Sequence, residues 1–92
     1  MTWSVLQTRR FARQYKKLHR NIAVEVDDAV EQVTNNPNVG ERKKGDLAEL
    51  FVYKFHVKDQ LYLLGYTRDD AVRLIYLQSV GVHENFYRDM KR

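Results

Sequence analysis

Cysteine is absent from this chain of 92 residues, which also contains a single proline and four glycines. Without cysteine the protein can form neither a disulfide nor a thiolate nucleophile, and its three histidines are a poor basis for a structural zinc site. We therefore expect no metal and no other cofactor. The sequence also has no apolar run of about 18 residues and no signal-peptide pattern, so we expect no membrane contact and a soluble protein of the cytoplasm.

The charge that the chain carries is basic and clustered. Sixteen Lys and Arg residues against twelve Asp and Glu residues give a net charge of +4. The cations gather in the first quarter of the chain, at residues 42–44 and at residues 88–92. Such clusters fit a polyanionic partner such as nucleic acid, although composition alone favours the other explanation, that they are the solvated faces of amphipathic helices.

The first half of the sequence predicts a strand followed by helical structure. Residues 2–7 are β-prone and precede a threonine that can cap a helix. Apolar residues then recur at helical spacing from Phe11 to Val33, with a change of register near Asn21. This pattern fits either one bent helix or two helices. The asparagine-rich residues 34–40, which include the proline, end the helical segment.

The second half predicts three antiparallel strands. Residues 50–57 alternate in polarity, so Lys54 and His56 share one face of a strand. Two further strands over 60–66 and 71–80 follow after short turns, and the last is apolar enough to be central. The order β-α-α-β-β-β is typical of an α+β fold. In it, an N-terminal strand, a helical hairpin and a three-stranded antiparallel meander form one sheet with the helices packed on one face.

The face of the sheet opposite the helices is predicted to be free, and it is the candidate functional face. Lys54 and His56 are predicted to point to it. A tail that folds back across this face could bring His83, Tyr87 and Arg88 together with Lys54, His56 and Arg73. This combination suits metal-free RNA cleavage, in which a base deprotonates a 2′-hydroxyl, cations stabilise the phosphorane and an acid protonates the leaving oxygen. Each residue also has an ordinary interpretation, with His56 as a surface side chain and Tyr87 as part of the core.

Taken in order, the motifs resemble the RelE/ParE superfamily of bacterial toxin–antitoxin toxins over nearly all of residues 1–92. The resemblance rests on the segments GERKKGDLAELFVYKF and VGVHENFYRDMKR. It implies a single RelE/ParE-like toxin domain, a cognate antitoxin protein as partner, and one of two activities. RelE-type members are ribosome-dependent endoribonucleases that cut mRNA, whereas ParE-type members poison DNA gyrase without catalysis.

The resemblance extends to individual residues of the nuclease site. Lys54 matches a strand lysine of the RelE-type members, and Tyr87 matches their C-terminal tyrosine. His56 stands where such a member has a second lysine, and His83 lies near the position of a loop arginine. The residues that we predict to be catalytic are Lys54, His56, Arg73, His83 and Tyr87.

One departure from the nuclease pattern lies on the second strand of the meander. There the nucleases carry an arginine and this sequence has Tyr62, so Arg68 or Arg73 would have to substitute. We predict a ribosome-dependent mRNA endonuclease that inhibits translation, with two alternatives: a gyrase poison that blocks replication, and a degenerate toxin that only binds its partner. In the nuclease interpretation the tail forms one wall of an RNA cleft. The residues that we assign to RNA binding are Arg42, Lys43, Lys44, Arg88, Lys91 and Arg92.

Overall fold

The computed structural model describes residues 3–43 and 49–90, and of residues 89 and 90 the backbone alone. Its elements are β1 (Ser4–Gln7), α1 (Arg9–Lys16), α2 (Arg20–Asn35), β2 (Glu41–Arg42), β3 (Phe51–Val57), β4 (Gln60–Asp69), β5 (Leu74–Val82) and α3 (His83–Met90). The strands form one sheet in the order β1-β5-β4-β3-β2, with β1 parallel to β5 and the other neighbours antiparallel. The predicted α+β fold, with its helical hairpin and antiparallel meander, is confirmed.

Some details differ from the sequence-based prediction. The two-residue strand β2, which pairs with β3, was not predicted. β4 continues to Asp69, so the loop before β5 covers residues 70–73 and not 67–70. The central strand is β4 and not β5, because β1 adds to the outer side of β5 and β2 adds to the outer side of β3.

The helical segment is two helices, which was one of the two predicted alternatives. The Thr8 hydroxyl accepts the Phe11 N–H at 3.3 Å and donates to the Leu77 carbonyl at 2.9 Å, so this residue both caps α1 and ties it to β5. The Tyr15 hydroxyl donates to Asp27 Oδ1 at 2.7 Å and joins α1 to α2. This hydrogen bond is the main reason why the pKa of Tyr15 is raised.

Two apolar clusters lie on opposite faces of the sheet. The larger one, between the helical hairpin and the sheet, consists of Phe11, Val26, Ala29, Val33, Leu64, Tyr66, Ile75, Leu77 and Val80. The smaller one, under α3, consists of Leu50, Val52, Leu63 and Phe86. The prediction that this second face is free is therefore wrong in part, because α3 packs on it. The predicted tail that folds back across the sheet is this helix.

Gly65 determines how closely α3 approaches β4. A Cβ at this position would lie 2.7 Å from Phe86 Cζ, which is closer than carbon atoms pack. The Phe86 ring is buried, with 1% of its surface exposed, and it fills the space that the glycine leaves. The first residues of α3 continue directly from β5, so this contact sets the position of the whole helix over the sheet.

Candidate functional site

α3 presents His83 and Tyr87 one helical turn apart. Their ring centroids are 6.4 Å apart in an edge-to-face arrangement. His83 is exposed and Tyr87 is half-buried against the edge of Phe86, with ring centroids 5.1 Å apart. Core packing therefore accounts for Phe86, whereas Tyr87 lies between the core and the solvent.

Lys43, which follows β2, meets Tyr87 from the edge of the sheet. Its Nζ lies 5.6 Å from the Tyr87 ring centroid and 3.0 Å from the Glu41 carboxylate. The pKa of Lys43 is raised, mainly by its hydrogen bond to Glu41 and secondly by a hydrogen bond to Tyr87. The pKa of Glu41 is lowered by the hydrogen bond with Lys43, then by the charges of Lys43 and Lys54. Glu41, Lys43, Lys54 and Tyr87, together with His83 against the Tyr87 ring, thus form one polar cluster.

β3 contributes Lys54 and His56 to the same side of the sheet. Lys54 pairs with Leu63 and His56 pairs with Leu61, and both leucines belong to or pack against the cluster under α3. Because directly paired residues share a face, both side chains point to the α3 side. Both are exposed, as the alternating pattern of β3 predicted.

Arg73 does not join this cluster. It lies in the loop before β5, whereas His83 follows the last residue of that strand. At about 3.3 Å per residue, the nine residues of β5 separate the two positions by roughly 30 Å. The predicted convergence of Arg73 with the other four candidate residues is therefore not found.

Tyr62 does not face the site either. Its side chain is 5% exposed and stacks on Phe55 at 5.9 Å, on the side of the helical hairpin. The β4 residues that face α3 are Leu61, Leu63 and Gly65, so the described part of this strand brings no cation to the site. The alternation of β4 could have indicated this from the sequence.

Arg68, the other arginine considered as a substitute, is engaged elsewhere. Its Nε donates to Asp70 at 2.7 Å, and a second guanidinium nitrogen donates to Asn38 at 2.7 Å. The guanidinium also lies over the rings of Trp3 and Phe51, with distances of 5.1 Å and 5.3 Å to their centroids. Arg68 thus joins the residue before β1, strand β3 and the loop after α2.

The cations assigned to RNA binding are divided among several places. Lys43 lies in the polar cluster, whereas Arg42 pairs with Phe51 and lines a groove with Asn38 and Arg68 on the other face. Arg88 is exposed and donates to Asn85 at 2.7 Å. Lys44, Lys91 and Arg92 lie outside the described residues.

A groove of about 610 Å³ opens beside His83. It lies at the end of the sheet, between the β3–β4 loop and the start of α2. Its lining residues are Asn21, Ile22, Val57, Lys58, Asp59, Gln60, Leu61, Tyr62, Val82, His83 and Glu84. Sequence reasoning missed both this groove and Glu41, although the spacing of two between Glu41 and Lys43 is a signal that they share a face.

Within 3–43 and 49–90, no three His, Asp or Glu side chains are grouped so that they could hold a metal ion. In the same ranges, no helix has the length and the apolar character that crossing a bilayer requires.

Three solved structures with a similar fold belong to toxin–antitoxin systems. The chain is similar to the toxin–antitoxin complex RelBE2 from Mycobacterium tuberculosis, with a TM-score of 0.79 and 24% identity over 90% of this chain and 100% of that chain. It is also similar to the intact RelBE complex of E. coli, with a TM-score of 0.69 and 19% identity over 86% of this chain and 94% of that chain. The isolated E. coli RelE toxin gives a TM-score of 0.69 and 19% identity over 87% of this chain and 83% of that chain.

A comparison with curated protein sequences found no match. A sequence model of the family described as "ParE-like toxin of type II bacterial toxin-antitoxin system" matches residues 5–91, which is nearly the whole chain. The motifs, the fold and this match agree, and the chain belongs to the RelE/ParE superfamily of toxins of type II bacterial toxin–antitoxin systems.

Proposed function

We propose that this toxin is a ribosome-dependent endoribonuclease that cuts mRNA in the cytoplasm and so inhibits translation. The observation that carries the proposal is the polar cluster on the α3 side of the sheet. Lys43 lies 5.6 Å from the Tyr87 ring, and His83 lies 6.4 Å from that ring. Lys54 and His56 lie on the adjacent strand and face the same side.

These side chains match the requirements of transesterification within RNA. A base takes the proton of a 2′-hydroxyl, the 2′-oxygen attacks the adjacent phosphorus, and the bond from phosphorus to the 5′-oxygen breaks. The leaving oxygen receives a proton from an acid, so the products are a 2′,3′-cyclic phosphate and a 5′-hydroxyl. His56, His83 and Tyr87 can serve as proton donor or acceptor, which typically accelerates a reaction by about 10²–10⁴-fold.

The lysines supply positive charge where negative charge develops. Lys43, like any lysine of ordinary pKa, is a cation at neutral pH. Its hydrogen bonds to Glu41 and Tyr87 raise its pKa further. Its ammonium group is fixed beside Tyr87, whereas Lys54 is exposed on the strand surface. A preformed cation of this kind stabilises a phosphorane without reorganising during the reaction.

Dependence on the ribosome follows from the resemblance to RelE-type members and agrees with the openness of the site. Next to α3, β4 brings Leu61, Leu63 and Gly65, and none of these residues can clamp a phosphate with a charged side chain. Holding a reactant in the reactive geometry lowers the activation barrier, whether the enzyme or another surface holds it. The decoding site of the ribosome would hold the mRNA in this way.

An antitoxin is the second partner that we propose. The structural neighbours include two toxin–antitoxin complexes, and α1 of this chain carries Arg9, Arg13 and Lys16 on exposed positions. An acidic, amphipathic segment that is disordered alone could fold on this surface and neutralise its charge.

The test of the nuclease proposal is single-turnover cleavage of mRNA on purified ribosomes. We expect His83→Ala and Tyr87→Phe each to lower the rate by about 10²–10⁴-fold, with the fold and the cyclic-phosphate product unchanged. His19→Ala is the matched control, because His19 is exposed at the start of α2 and its side chain makes no capping hydrogen bond. Wild-type rates for both site variants would refute the assignment.

The runner-up function is the poisoning of DNA gyrase by protein–protein binding. The observation in its favour is that the described β4 residues provide no arginine at the site. The two functions differ in their first effect on a cell that overproduces the toxin. The nuclease stops protein synthesis first, whereas a gyrase poison first induces the DNA-damage response.

A further inference from the structure

The groove beside His83 is lined by this residue, which also belongs to the polar cluster. The nuclease chemistry proposed for the polar cluster does not account for the groove. It is about 610 Å³ in volume, which is within the range of sites that hold a small ligand. Its apolar residues include Val57, Leu61 and Val82, and its polar residues include the amides of Asn21 and Gln60. This composition suits a base, whose faces are apolar and whose edges form hydrogen bonds.

Lys58 is the only lysine or arginine among the described residues that line the groove. It occupies the two-residue loop between β3 and β4 with a φ of 56°, in the left-handed region that glycine and asparagine adopt more readily. A long cationic side chain in this conformation is unfavourable for the fold. Two-residue hairpin loops favour a positive φ, so the turn accounts for this conformation and holds Lys58 at the rim of the groove.

The two carboxylates that line the groove, Asp59 and Glu84, limit where a phosphate can lie. A phosphate is attracted to Lys58 and repelled by these groups, so it would pass at the Lys58 edge of the groove. The carboxylates can instead accept hydrogen bonds from the amino group of a base or from a ribose hydroxyl. One nucleotide can thus place its phosphate at Lys58 and its base or ribose at the two carboxylates.

On this basis, and resting on the proposed nuclease function, we propose that the groove binds the mRNA nucleotide next to the scissile phosphate and that Lys58 contacts its phosphate. His83 stands at the boundary between the groove and the polar cluster, so the RNA chain would run from one to the other. The β3–β4 loop is then part of the substrate-binding surface of the toxin.

Arg73 provides a matched control for Lys58. It is the other non-glycine residue with a positive φ among the described residues, 54°, and it also lies in a loop between strands. It is at the opposite end of β5 from His83, outside both the polar cluster and the groove. Replacing either residue by asparagine removes one positive charge and relieves the same backbone strain. We expect both variants to unfold about 2–6 °C higher than the wild type.

The experiment measures cleavage of ribosome-bound mRNA at limiting toxin. In a series of mRNAs, each phosphate that flanks the scissile one is replaced in turn by a neutral methylphosphonate. The nucleotide next to it carries a 2′-O-methyl group, so the mRNA cannot be cleaved at the modified position. At one flanking position we expect the wild type to lose about 5–20-fold in rate. On ordinary mRNA, Lys58→Asn should cleave more slowly than the wild type by a similar factor. On the mRNA with the methylphosphonate at that flanking position, Lys58→Asn should lose no further rate. Lys58→Arg should keep the wild-type rate, and Arg73→Asn should behave as the wild type throughout.

The outcomes separate this inference from the proposed function. If the wild type cleaves mRNA and Lys58→Asn is as sensitive as the wild type to every methylphosphonate, the groove does not hold the flanking phosphate. If Lys58→Asn and Arg73→Asn slow cleavage equally, net charge is responsible and the inference is again wrong. A wild-type toxin that cleaves no mRNA would overturn the nuclease function and this inference together.

Discussion

Replacing Gly65 by alanine should loosen α3 and leave the rest of the fold in place. The added Cβ would lie 2.7 Å from Phe86 Cζ and 3.3 Å from Leu50 Cδ1, whereas carbon atoms pack at about 3.5–4.0 Å. The Phe86 ring would therefore have to retreat by roughly 1 Å. Because Phe86 is the buried anchor of α3, its displacement moves the helix that carries His83 and Tyr87.

Two estimates of the cost agree. Overpacking of a filled site costs about 1–3 kcal/mol, and releasing a buried phenylalanine to solvent costs about 1.5–3 kcal/mol. Alanine recovers about 0.5–1 kcal/mol of this, because glycine is unfavourable within a strand. The net destabilisation of docked α3 is thus about 1–2 kcal/mol, which corresponds to roughly a tenfold change in the docking equilibrium.

Hydrogen exchange of the α3 amides, measured alongside those of β4 and β5, is the appropriate assay. We expect exchange in α3 to become about tenfold faster, with a smaller change in the central strands. Gly81→Ala is the control, since a Cβ on Gly81 has no atom within 4 Å. Combining Gly65→Ala with Phe86→Leu should restore part of the protection, because leucine lacks the Cζ atom that collides. Unchanged α3 exchange in Gly65→Ala would refute this account of the packing.

Two further predictions concern the core and the antitoxin. The Tyr66 hydroxyl donates to the Pro37 carbonyl at 2.6 Å and accepts the Gly40 N–H at 3.0 Å, so Tyr66→Phe should lower the free energy of unfolding by about 1–3 kcal/mol in urea titrations. Burial raises the pKa of Tyr66 in the folded protein. Its contribution to the free energy of unfolding is therefore complete below the unfolded pKa of about 10 and is lost as the pH rises through the folded pKa. The loss of stability at alkaline pH should thus be smaller in Tyr66→Phe than in the wild type. For the antitoxin, co-expression with the neighbouring gene should yield a complex that weakens as salt rises, and a toxin that is harmless to cells without any partner would contradict the proposal.

The sequence by itself determined the local structure and the family. Alternation placed Lys54 and His56 on one side of β3, and helical spacing placed the apolar residues of α1 and α2 on the sheet. These properties depend on neighbouring residues, whose geometry is set by the period of a strand or a helix. The same rule, applied to β4, would have put Tyr62 on the helical side.

Only the tertiary structure decided which distant residues meet. Lys43 reaches Tyr87 because β2 pairs with β3 and because Gly65 admits Phe86 under α3. Arg73 is separated from His83 because both flank the same long strand, and no local pattern reveals that β5 holds them apart. Strand pairing and helix docking join segments that are far apart in the chain, so their outcome depends on the packing of the whole core and not on any single stretch of sequence.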